Sequence, residues 1–160
     1  MKVLLSKHDA SEIVGIIFPF LPRHAERLLD DGKTVFVKFF GKGRIPLKLQ
    51  PGSRLFPYES KGNKEIVGEA KILRVESISA SDAMSVCGTS LFLTQSEFDD
   101  YVGNRRGKIM LALILEDAKR YQVPLKLNKS ATMAGQYMTR EMYRKIRGES
   151  QKAINVKTES

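Results

Sequence analysis

The chain has 160 residues, 42% of them apolar, and a formal net charge of +9 at pH 7, which is enough to bury one core and leaves no need for a second domain. Its longest uninterrupted apolar run, Ile109 to Leu115, is far short of the roughly 20 residues that a membrane-spanning helix requires, so no membrane role is expected. A single cysteine, Cys87, excludes an intramolecular disulfide. With too little apolar character near Met1 for a secretory signal, the expected location is the cytoplasm.

In chain order, Glu12 to Phe18 is a short β-branched run that reads as a buried strand ending at Pro19. Pro22 and Gly32 then bracket Arg23 to Leu29, a helix whose Leu21, Ala25, Leu28 and Leu29 face the core. Thr34 to Phe40 is a strand that stops at Gly41-Lys-Gly43, and Pro51-Gly52 turns the chain into Ser53 to Tyr58. After a turn at Lys61 to Lys64, Glu65 to Ile78 reads as a long, half-buried strand. Thr94-Gln-Ser-Glu97 has the form of a capping box, opening a helix whose Phe98, Tyr101 and Val102 are buried and whose end is Gly103. Ile109 to Leu115 has the length of an interior strand. Thr139 caps a last helix over Arg140 to Arg147, with Met138, Met142 and Ile146 on one face and Arg140, Arg144 and Arg147 on another. The polar tail from Glu149 to Ser160 has no apolar periodicity and reads as flexible.

The charge is uneven along this order. From Met1 to Asn104 there are 14 Lys and Arg against 13 Asp and Glu, whereas Arg105 to Ser160 carries 13 against 5. A basic excess confined to one region attracts polyanions, of which nucleic acid is the commonest. Enzymatic motifs are sparse by comparison. His8 and His24 lack Cys, Asp or Glu at zinc-site spacing, and no phosphate-binding or dinucleotide glycine loop is present, so neither a metal nor an organic cofactor is expected. His24 reads as a helix-surface residue and Cys87 as a small core residue.

The order of short motifs is distinctive. A helix leading into Gly32-Lys-Thr34, then Pro51-Gly-Ser53 and Ile66-Val-Gly-Glu-Ala-Lys-Ile72, resembles the PUA-like superfamily and, within it, the ASCH domains. Ile13-Val-Gly-Ile-Ile-Phe-Pro19, Val35-Phe-Val-Lys38, Val67-Gly-Glu-Ala70 and Gly135-Gln-Tyr137 are similar to an archaeal family of that superfamily, DUF365. The resemblance runs from about Glu12 to Arg147. It implies an α+β fold, a PUA-like mixed β-pseudobarrel flanked by helices, in one domain over residues 1–148, with RNA or modified nucleosides as the usual ligands. ASCH domains commonly place a glutamate and an arginine on the strand after the Lys-Thr turn; here Val35-Phe-Val-Lys38 has no glutamate, and Lys38 stands where the arginine would be. Some ASCH enzymes cleave an amide on a modified cytidine with a lysine, a threonine and a glutamate. Lys33, Thr34 and Glu69 are the positions for those parts here, against the plainer reading of a helix exit, a strand start and a solvated strand residue.

Two functions follow. The first is an RNA-binding module, with tRNA or rRNA among its partners, in which Lys33, Lys38, Arg105, Arg106, Lys108, Arg140 and Arg144 engage phosphates and Tyr137 or Tyr58 stacks an unpaired base. Burial of Tyr58 is the plainer reading of that residue. The second is an amidohydrolase acting on a modified nucleoside or base through Lys33, Thr34 and Glu69. Convergence of those three in a concave site favours the enzyme; a continuous basic face favours binding.

Overall fold

The computed structural model describes residues 12–40, 49–127 and 135–148; His8, the Gly41 to Gly43 turn and the tail 149–160 lie outside the described residues. In chain order these residues form β1 (Ile13–Phe20), α1 (Pro22–Leu29), β2 (Val35–Phe39), β3 (Arg54–Glu59), β4 (Glu65–Ser79), α2 (Ala80–Cys87), a 3-10 turn (Gly88–Ser90), α3 (Gln95–Val102), β5 (Ile109–Lys126) and β6 (Gln136–Thr139). A further helix, α4, spans 140–148. None of the described helices is long and apolar enough to cross a membrane.

Local chemistry explains the helix boundaries. Pro22 occupies the start of α1, where a missing N–H leaves no hydrogen bond unmade, and Ala25, Leu28 and Leu29 are buried. At α3 the Thr94 hydroxyl accepts from Glu97 N–H at 3.1 Å while the Glu97 carboxylate accepts from Thr94 N–H at 2.9 Å, the reciprocal cap that the sequence indicates. The Thr139 hydroxyl accepts from Met142 N–H at 3.1 Å and caps α4.

The strands make one mixed sheet in the order β2-β5-β4-β3-β1-β6. Neighbours are antiparallel except β1 and β3, which run parallel. Strands β4 and β5 are 15 and 18 residues long, and their register shifts between Ile66 and Gly68, Glu69 and Lys71, and Ile72 and Arg74. Each shift adds bend and twist. Asp117 takes up the second at φ 53, a left-handed conformation that aspartate tolerates better than most residues. The bent ribbon brings β2, at one edge of the sheet, against β1 near the other. Phe36 stacks on Phe18 with centroids 5.3 Å apart and lies 5.1 Å from Phe20, so an open pseudobarrel closes through aromatic contact rather than strand pairing. Its interior core includes Ile16, Phe18, Leu55, Ile72 and Leu113. On the other face of the sheet Ile17, Phe56, Tyr58, Ile66 and Tyr121 form a second cluster, covered by Met142, Tyr143 and Ile146 of α4.

Several expectations need correction. Strand β1 does not stop at Pro19 but runs through it to Phe20, because β6 pairs only with Ile13 to Ile17 and leaves one side of Pro19 without a strand to bond. Pro57 and Pro124 also lie inside strands, each within a register shift. Strand β4 is buried continuously from Ile66 to Ala70 rather than alternating, since both of its faces are covered there. The interior strand at Ile109 to Leu115 is present but continues to Lys126, with Ile109 itself exposed. Tyr58 is buried, as its plainer reading had it.

Gly68 is where α1 meets the ribbon. A Cβ there would sit 2.5 Å from the Lys119 carbonyl oxygen and 2.7 Å from a Leu29 methyl. Gly68→Ala is therefore expected to lower the unfolding free energy by about 1–3 kcal/mol, the usual cost of overpacking, as read from the midpoint of a urea titration.

Candidate functional site

Where β1 and β2 meet α1 and α3, a pocket of about 450 Å3 opens, within the size range of sites for small organic molecules. Its apolar side is an aromatic cluster: Phe36 lies 5.0 Å and Phe20 5.7 Å from Phe92 between ring centroids. Phe36, Val37 and Lys38 of β2 all line the pocket. The Lys38 ammonium lies 5.5 Å from the centre of the Phe18 ring. Burial lowers its pKa from the ordinary lysine value, and among the described residues no carboxylate lies within ion-pair distance of it. Tyr101, on the α3 side, accepts a 2.8 Å hydrogen bond from the N–H of Phe39 and retains its own proton for an acceptor. Burial raises the Tyr101 pKa, so the phenol is neutral.

One carboxylate joins the two helices that wall this pocket. Besides capping α3, Glu97 accepts hydrogen bonds from both guanidinium ends of Arg27 and from Arg23 Nε at 3.1 Å on α1. The Arg27 hydrogen bond, with support from the Thr94 N–H and Arg23, outweighs desolvation and holds Glu97 far below the usual carboxylate range. His24 is not the surface residue that the sequence implied. It is edge-on to Phe92 with centroids 5.5 Å apart, and its buried Nε2 has no hydrogen-bond partner, the nearest Glu97 oxygen being 3.6 Å away. Burial lowers the His24 pKa despite the opposing charge of Glu97, which keeps the ring neutral at pH 7.

Glu69 is likewise not solvated. At 4% exposure it accepts hydrogen bonds from Tyr121 Oη at 2.6 Å, Tyr143 Oη at 2.7 Å and Arg54 Nε at 2.7 Å. Arg147 covers the pair, its guanidinium 5.0 Å from the Tyr121 ring centre. The sequence offered no signal for this group, because its members come from β3, β4, β5 and α4. Lys33 and Thr34 lie elsewhere. The Lys33 ammonium donates to the Thr89 carbonyl at 2.6 Å, and Thr34 bonds through its backbone to Ser90 and Leu115. Among the described residues no hydrogen bond or ion pair links either of them to Glu69, and none of the three lines the pocket.

The family model described as "Domain of unknown function (DUF365)" matches residues 13–140. The chain belongs to the DUF365 family. Its fold is shared with the ASCH protein of Zymomonas mobilis, which superposes at TM-score 0.71 with 20% identity over 84% of this chain and 94% of that one. A single-residue variant of that protein gives 0.73, at 20% identity over 88% and 99%. A protein of Enterococcus faecalis V583, of family model DUF984, gives 0.52 at 12% identity over 76% and 86%. The expected α+β fold, a mixed β-pseudobarrel flanked by helices, is thereby borne out. A search of the curated proteins finds no match.

In this DUF365 chain the cations singled out from the sequence fall into separate groups. Arg105 lies 4.1 Å from the Phe39 ring centre and 5.2 Å from that of Tyr101, and it donates to the Tyr101 carbonyl, so it borders the pocket. Arg106 and Lys108 follow on the same exposed turn, Arg106 only 4.0 Å from Asp99. Arg140 and Arg144 stand apart on α4, where Arg140 is matched by Glu12 at 2.9 Å. Tyr137 pairs with Ile16 on β1 and packs against the interior core, which leaves it half-buried rather than open for stacking.

Desolvation alone would raise the Glu69 pKa, but the hydrogen bonds from Tyr121 and Tyr143 and the charges of Arg54 and Lys119 bring the net value below the ordinary 4.5. A depressed folded-state pKa contributes stability that is complete above pH 4.5 and is lost as pH falls through the folded value. Glu69→Gln is expected to cost about 1.5–3 kcal/mol at pH 7, the range for hydrogen bonds to a charged group. The same variant is expected to flatten the acid limb of stability against pH, measured by urea unfolding at a series of pH values.

Proposed function

We propose that this protein binds RNA by taking an unpaired base into the aromatic pocket while cations at its β2 and α3 edge hold neighbouring phosphates. The observation that carries the reading is the continuity of the two features: Lys38 lines the pocket, and Arg105 stacks on Tyr101 at its border, leading to exposed Arg106 and Lys108. Phe20, Phe36 and Phe92 are buried, so the half-buried Tyr101 ring is the aromatic face offered to a base. The exposed turn offers the point charges that position a phosphate backbone without reading its sequence. Lys33, bonded to Thr89, and Arg140, paired with Glu12, are less available for this. Arg144 is exposed and provides a second, remote contact. The partner we propose is a tRNA or rRNA in the cytoplasm. Amide hydrolysis finds less support, because Lys33, Thr34 and Glu69 each have other partners.

In fluorescence-anisotropy titrations against single-stranded RNA, affinity is expected to fall by roughly 0.7 log units per log unit of salt for each phosphate contacted. Reversing Arg106 and Lys108 together is expected to weaken binding across all sequences and to reduce that slope, more than reversing Arg140 and Arg144 does. No binding at low salt, or binding indifferent to the Arg106 and Lys108 reversal, would sink the proposal.

A further inference from the structure

We infer that the pocket takes a base that carries its own negative charge, with a ring carboxylate held by Lys38. The inference rests on the base-binding reading and narrows it to a ligand class. Three observations lead to it.

First, half-buried Lys38 lines an aromatic pocket, its ammonium lies 5.5 Å from the centre of the neighbouring Phe18 ring, and no carboxylate among the described residues forms an ion pair with it. Second, the carboxylate on the pocket wall is already matched, since Glu97 is bound by Arg27 and Arg23. Asp100, also at the pocket, is exposed and makes no ion pair with Lys38. Third, the Tyr101 phenol accepts from Phe39 N–H, next in sequence to Lys38, and has a proton left to donate.

A cation removed from water without a counter-charge is unfavourable, and removing one partner of a buried pair leaves the same penalty. An anionic ligand supplies the missing partner. The apolar side formed by Phe36 and Phe92 suits an anion carried on an apolar or aromatic body, such as the ring of a base. A phosphate suits the Lys38 end less well, because a tetrahedral dianion needs several donors, whereas the other cations of the lining are Arg23, bonded to Glu97, and exposed Lys61. Phosphates are better served by Arg106 and Lys108 on the exposed turn.

The test is isothermal titration calorimetry of the full chain with uridine, uridine 5′-monophosphate, 5-carboxyuridine and 6-carboxyuridine. One of the two carboxylates is expected to bind roughly 10- to 100-fold more tightly than uridine, the value of one charge-assisted hydrogen bond, while the monophosphate stays close to uridine. Lys38→Met should bring the ratio of carboxylate to uridine near one, and Lys38→Arg should preserve it; thermal melts of both variants establish that they are folded. Binding of uridine with no gain for either carboxylate, a gain for the monophosphate alone, or a carboxylate preference that survives in folded Lys38→Met would overturn the inference and leave the base-binding reading intact. Failure of all four compounds to bind would overturn the base-binding reading and this one with it.

Discussion

The pairing of β4 with β5 is the constraint from which the rest of the molecule follows. A ribbon of this length must coil, because strand twist accumulates, and here three register shifts concentrate the bend. The bend carries β2 round to β1, so that Phe36 reaches Phe18 and Phe20 and the pocket gains its aromatic side. It also reorients side chains along β4. Strict alternation from Val67, which faces the interior, would point Glu69 inward as well; the shifts on either side of Glu69 turn it to the opposite face, where Tyr121 and Tyr143 receive it. A charged residue in an otherwise apolar run is tolerated because these shifts deliver Glu69 to three donors.

Glu97 plays the corresponding part at the pocket. As the third residue of a helical cap it satisfies a backbone donor, and the same carboxylate accepts from Arg27 and Arg23. The short helices α1 and α3 are thus held at a fixed separation by charge, with Phe92 and His24 wedged between them. Two consequences follow for the interior of the pocket. Glu97 is matched by Arg27 and Arg23, and the neutral His24 ring adds no charge, so the charges left at the pocket are Lys38 on β2, exposed Lys61 and exposed Asp100.

Where a feature depended on neighbours in the chain, it was legible from residues alone. Pro22 and Gly32 bounded α1, Thr94 and Glu97 marked α3, and Thr139 marked α4, because each cap is a contact over three or four residues. The apolar run at Ile109 to Leu115 was read as an interior strand for the same reason. Its continuation, Glu116 to Lys126, is polar and follows no period of two. That segment is a strand because β4 lies beside it, and the bulge at Asp117 scrambles the pattern that alternation would leave. Helix α2 passed unnoticed because Ala80-Ser-Asp-Ala-Met-Ser-Val-Cys87 is short and buries little more than Ala80 and Ala83. At the site, Lys38 was singled out for its charge, but the pocket around it was not visible: Phe20, Phe92 and Tyr101 come from three separate segments. The buried partners of Glu69 were hidden in the same way. Tyr137 and Arg140 were chosen by residue type, and their surroundings, the interior core and Glu12, engage them locally.

The place of β1 between β3 and β6 bears on how the chain reaches this arrangement. Ile13 pairs with Thr139, so the first described strand can complete its hydrogen bonds only after almost all the others have been synthesised. Contacts of such sequence separation form late, since the entropy of closing a long loop opposes them. Until β6 arrives, one edge of β1 presents free N–H and C=O groups on a run of Ile, Val and Phe that is apolar on both faces, the kind of edge that pairs with other chains. Gly15 lets β1 press so closely on β3 that no side chain fits between them, which secures the other edge early. Removal of β6 and α4 would therefore leave an otherwise complete barrel with one adhesive side, which is the side those two short elements cover in the folded chain.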